Sequence, residues 1–140
     1  YQASRVDSFL DASLGFARDA QAYLLKLGTG RIKPPMQERA CAALDAYLAG
    51  IERALAPARA FLVGDRLTLA DIAFAAELAL FSAERAHART LADAGLAPLW
   101  SGALATAFPR ALAQFAALCA HEAFAPELGP YLAKLEKRDG

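Results

Sequence analysis

Residues 61–81 read FLVGDRLTLADIAFAAELALF, a cluster of turn and capping residues placed directly before a helix with almost no polar face. Phe61, Leu62 and Val63 are apolar, Gly64 and Asp65 make a turn, and helical spacing resumes after Leu67. Thr68 falls at the N-cap, where its hydroxyl can accept the backbone N–H of Asp71 while the Asp71 carboxylate reaches back to the N–H of Thr68. This is a capping box with Asp in place of the more usual Glu. Leu67 before the cap and Ile72 four residues into the helix supply the matching hydrophobic staple. A catalytic role for Asp71 would need a nucleophile or base within reach, and Thr68 at a buried helix start supplies no activated partner. The pair therefore reads as architecture, and no catalytic residue is assigned. Leu69, Ile72, Phe74, Leu78, Leu80 and Phe81 cover every direction of the helix that follows, which places it at the centre of a bundle.

Working outward, the stretch from Ser4 to about Lys26 carries Val6, Phe9, Leu10, Ser13, Phe16, Ala17, Ala20, Tyr23, Leu24 and Leu27 at three- and four-residue intervals, the pattern of a long amphipathic helix. GTGRIKPP at 28–35 stops it; no apolar strand precedes these glycines, so they do not read as a phosphate cradle. A second helix begins near Pro35 with Met36, Ala40, Leu44, Tyr47, Leu48, Ile51 and Leu55 along one side, and two long helices joined by so short a break pack antiparallel. Past Phe81 the polar run SAERAHARTLADAG at 82–95 reads as a helix leaving the core for solvent, followed by a turn. Pro109 opens another helix with Leu112, Phe115, Ala116 and Cys119 as its apolar face, and Phe124, Leu128, Tyr131 and Leu135 close the bundle. The expected fold is all-α, a helical bundle of about five helices in one domain over residues 1–140.

Composition narrows the function. Hydrophobic residues make up 56% of the 140, and Lys plus Arg balance Asp plus Glu at 15 each. A net charge of zero argues against a module that binds nucleic acid by neutralising phosphates. The longest apolar stretch, 69–81, is broken by Asp71 and Glu77 and is too short to span a bilayer, so no membrane is expected. Cys41 and Cys119 lack CxxC spacing and read as reduced, buried small hydrophobes, which fits a cytoplasmic protein. His87 and His121 lack the spacing of a metal pair, so no metal is expected. With Tyr1 rather than Met at its start, the chain is expected to be a piece of a longer one.

FLVGDRLTLADI, the long helix pair before it and AFPRALAQFAALCAHEAF after it resemble the C-terminal helical domain of the glutathione transferase superfamily across essentially the whole chain. Within it, ALDAYLA, FLVGDRLTLADI and the segment from Phe108 to Phe124 look most similar to the transferase-like domains of the gamma subunits of translation elongation factor 1. The resemblance implies that Thr68 and Asp71 form a buried capping box important for folding. It also implies that glutathione is bound by a thioredoxin-like domain placed before this one, so no cofactor is expected for these residues alone. If that domain exists upstream, the first helix lines the apolar co-substrate pocket, with Phe9, Phe16 and Tyr23 as the lining residues. Otherwise the chain is a non-catalytic interaction domain whose partner is another protein or a second copy of itself. In either case an apolar surface is expected where the missing domain would sit.

Overall fold

The computed structural model describes residues 1–138. It consists of α1 (Gln2–Gly28), α2 (Pro34–Ala54), α3 (Leu69–Phe81), a 3₁₀ helix (Ser82–His87), α4 (Ala88–Asp93), α5 (Gly102–Ala107), α6 (Pro109–Ala120) and α7 (Ala125–Glu136), with no strand among the described residues. Five of these helices run twelve residues or more, while α4 and α5 are single short pieces of six. The all-α bundle read from periodicity is the fold.

Helix α1 is the spine. It packs against α2 along one side and α3 along another, and α6 contacts α2 and α3 from the opposite side of the core. Aromatic rings fill the space between them. Phe16 stacks on Tyr47 with centroids 4.9 Å apart and meets Phe81 at 5.7 Å, while Phe74 lies between Tyr47 and Phe115 at 6.1 and 6.4 Å. Each such ring, fully removed from water, contributes on the order of 2 kcal/mol through lost apolar surface. Pro34 stands in the first turn of α2, where its missing N–H costs nothing. Gly64 has φ +71°, in the left-handed region, and a Cβ there would lie 3.3 Å from the Gln2 side chain. The start of α1 therefore covers the turn that leads into α3.

Three expectations are corrected by the packing. Helix α3 is not enclosed on all sides: Leu69, Ile72 and Leu80 are 59, 41 and 47% exposed, because α1, α6 and the 3₁₀ helix cover only the side that carries Phe74, Leu78 and Phe81. Residues 82–87 do not leave the core, since Ser82 and Glu84 are fully buried. In α6 the buried face is Ala111, Gln114, Phe115 and Leu118; Ala116 is exposed and Leu112 and Cys119 are only half-buried. The face is rotated because Gln114 turns inward to donate from Nε2 to the Ala60 carbonyl at 2.8 Å.

Burial shapes the titration of this core. Removal from water pushes the Tyr47 phenol up to about 12 from its ordinary value of 10, against a lowering effect of its 2.7 Å hydrogen bond with Ser13. Tyr23 is raised further, first by burial and then by its hydrogen bond to Glu84. Both phenols are held neutral by the fold, so their contribution is complete below pH 10 and is lost as pH rises through the folded values. We expect stability in urea to fall as pH is raised from 9 to 12, and the Tyr47→Phe variant to lose less over that interval. Equal slopes for the two proteins would contradict the assignment.

Candidate functional site

The capping residues lie together at the start of α3. Thr68 is the N-cap, with extended backbone at φ −129° and ψ 174°, and both arms of the box are present. Thr68 Oγ1 accepts from the Ala70 N–H at 3.3 Å, and Asp71 Oδ2 accepts from the Thr68 N–H at 3.0 Å and from the Thr68 hydroxyl at 3.2 Å. The second oxygen of Asp71 does something the capping pattern does not require. Oδ1 accepts from the Leu62 N–H at 3.0 Å, nine residues back along the chain. A carboxylate with no exposed surface thus binds the loop and the helix start together. Leu67 is half-buried against the core, whereas Ile72 keeps two-fifths of its surface in solvent.

A second buried carboxylate was not singled out in the sequence. Glu84, in the 3₁₀ helix, is 0% exposed and accepts three hydrogen bonds: from Tyr23 Oη at 2.6 Å, from the Leu99 N–H at 2.8 Å, and from the Trp100 N–H. Gln37 on α2 completes the cluster, donating from Nε2 to Tyr23 Oη at 3.3 Å and to the Ala97 carbonyl at 2.8 Å. Four segments of the chain converge there. The signal that could have found Glu84 is its phase, because it continues the stripe Phe74, Leu78, Phe81 by three residues. Glu52 on α2 does a similar task at the surface, accepting from the Arg110 and Ala111 N–H groups at 3.2 and 2.8 Å and so capping the start of α6.

The three aromatic residues assigned to a co-substrate pocket do not share one cavity. Phe9 lines a hollow of about 330 Å³ between α1 and α2, and Phe16 lines the next one along the same seam, about 310 Å³. The two hollows join through Ala12, Ala46 and Tyr47. Tyr23 lines neither; it is fully buried and committed to Glu84. Cys41 and Cys119 are free thiols and only half-buried rather than enclosed, and burial raises both above the ordinary thiol range. His121 Nδ1 accepts from the Ala123 N–H at 3.1 Å, and His87 is half-buried. Among the described residues no group of three acidic, His or Cys side chains is arranged to hold a metal ion, and no helix is long and apolar enough to cross a membrane.

The family model described as glutathione S-transferase, C-terminal domain matches residues 19–89. The matched segment runs from within α1 to the start of α4 and contains Tyr23, the capping box and Glu84. No curated protein and no solved structure gives a significant match.

Both carboxylates have measurable consequences for folding. Thr68→Ala is expected to cost about 1 kcal/mol, the usual value of a lost cap. Asp71→Ala strands the buried Leu62 and Thr68 donors as well and should cost about 3 kcal/mol. Urea melts that overlay the parent would overturn this. Glu84→Gln keeps the shape but turns an amide N–H₂ toward donors, and is expected to cost about 3 kcal/mol. It should also release the Trp100 fluorescence from its native environment before the helical signal is lost.

Proposed function

The chain belongs to the glutathione S-transferase C-terminal domain family, and from that premise we propose that it is a non-catalytic helical domain acting through protein–protein contact. The assembly proposed is of the translation elongation factor 1 type, on the resemblance carried by FLVGDRLTLADI and the segments around it. The observation that supports an interaction role is the open apolar side of the bundle. Leu14 and Leu25 on α1 are 68 and 72% exposed, and Leu69 and Leu80 on α3 are about half exposed. Leu25 and Leu80 border a common hollow with Gln21 and Leu24. Leu14 and Leu25 are eleven residues apart, as are Leu69 and Leu80, which is about three turns and returns to the same side of a helix. Large side chains of this kind, left in water on two packed helices, support the reading of a surface that a partner covers. The buried hydroxyl and carboxylate of Tyr23 and Glu84 are closed to solvent and offer no reactive group.

A second reading, the co-substrate half of a glutathione transferase whose glutathione-binding domain lies upstream, draws on the α1–α2 groove lined by Phe9 and Phe16. The two readings separate in one experiment. The chain, in its parent protein, is expected to co-purify with elongation factor 1 subunits and to show no turnover of glutathione with an electrophilic aryl substrate. The Leu25→Glu/Leu80→Glu double variant should lose that association by about tenfold or more while melting as the parent does. Retention on immobilised glutathione together with turnover would overturn the interaction reading in favour of the enzyme.

A further inference from the structure

A hollow of about 520 Å³ lies between the loop that leaves α2 and helix α6, and neither functional reading uses it. It shares no residue with the α1–α2 seam or with the hollow beside Leu25 and Leu80. Leu55 is buried beneath it, and Ala113 and Ala117 on α6 are too small to fill it. Gln114 holds the loop against α6 by donating to the Ala60 carbonyl at 2.8 Å, so the walls are fixed before anything binds.

The charged groups around this hollow are mostly cations. Arg59 from the loop and Arg110 from α6 both line it, and both are exposed. Arg59 makes no side-chain hydrogen bond or ion pair among the described residues. Arg110 has one nitrogen 3.7 Å from Glu52 Oε1, an oxygen that already accepts from the Arg110 N–H at 3.2 Å. Most of its guanidinium donors are thus uncommitted. The backbone adds further donors, because the N–H groups of Arg59 and Ala60 find no acceptor among the described residues. In a chain of zero net charge, this is a local excess of positive charge.

Six of the eight lining residues are exposed, so the hollow covers one side of an occupant and leaves the other in water. A free small molecule is held by enclosure over most of its surface, which this shape does not provide. A segment of a larger protein is held differently, by main-chain hydrogen bonds and a few side-chain anchors. We propose that the hollow docks an extended acidic segment of a partner protein, with carboxylates on Arg59 and Arg110 and one aliphatic side chain between them over Leu55. Each guanidinium fork matches a carboxylate by two parallel N–H···O bonds, and the loop N–H groups donate to carbonyls of the segment. The site lies wholly within this chain, so it holds under either functional reading.

Acetyl-Gly-Glu-Leu-Glu-Gly-amide is the probe, and the same peptide with Gln in place of Glu is its neutral match. In amide-resolved NMR titrations at low salt the Glu peptide is expected to shift Ala58, Arg59, Ala60, Ala113 and Ala117. The Gln peptide should bind about tenfold more weakly or worse. Arg59→Gln should weaken the Glu peptide by about the same factor and leave the Gln peptide unchanged. Ala113 is exposed, so Ala113→Glu puts a like charge in the hollow without touching the core and should abolish binding of the Glu peptide. Urea melts of both variants serve as the check on folding, and the Leu25→Glu/Leu80→Glu variant should bind the peptide as the parent does. Equal affinity for the two peptides, an unchanged affinity in Arg59→Gln, or no shift at millimolar peptide would overturn the proposal. So would shifts centred on Lys26, Arg31 and Lys33, loss of binding in the Leu25→Glu/Leu80→Glu variant, or the same shifts from inorganic phosphate at equal concentration, which would make the hollow a site for any anion.

Discussion

The buried carboxylate of Asp71 is the constraint on which the fold turns. It has no exposed surface and must have its charge satisfied from inside the protein. It achieves this by accepting from Thr68 at the helix start and from Leu62 at the far side of the Gly64 turn. Removing either donor would leave a charged group short of partners in a dry place, so the loop over residues 62–68 and the first turn of α3 must form together. Because α3 supplies Phe74, Leu78 and Phe81 to the aromatic core, a local pairing across a few residues governs how α1, α2 and α6 meet.

Glu84 repeats the same physics over longer distances. Its oxygens collect the hydroxyl of α1 and two backbone N–H groups of the segment before α5, which would otherwise be unpaired donors near the core. Asp71 shapes the entry to α3 and Glu84 its exit, so the central helix is bounded at both ends by an acid without solvent contact. Neither is placed to do chemistry. Every oxygen accepts from a fixed donor, and neither group has surface through which a substrate could reach it.

What the interior does not use is presented outside. Among the described residues, no element covers the apolar side chains of α1 and α3 that point away from Phe74 and Phe81, and the seam of α1 with α2 stays open because small residues line it. These surfaces differ in character. The first is broad and apolar, whereas the second is a concave seam between two packed helices.

The capping box was legible because it depends on a spacing of three residues: Thr68 and Asp71 can only meet in one way once the chain turns helical. The helical class, the long pair α1 and α2, and the buried stripe of Leu44, Tyr47, Leu48 and Ile51 were legible for the same reason, since periodicity is a local property. The phase of Glu84 on the stripe of Phe74, Leu78 and Phe81 was legible too, but its role was not, because its partners lie fifteen, sixteen and sixty-one residues away and no local rule brings them together. The rotated face of α6 escaped as well, since an inward Gln114 makes sense only when the Ala60 carbonyl is known to face it. Nor could a helix apolar on all sides reveal that Leu69, Ile72 and Leu80 stay in water. The sequence by itself thus determined which segments are helices and how the central one begins; the tertiary structure alone decided which side of each helix is covered, because burial depends on how many neighbours arrive and from where.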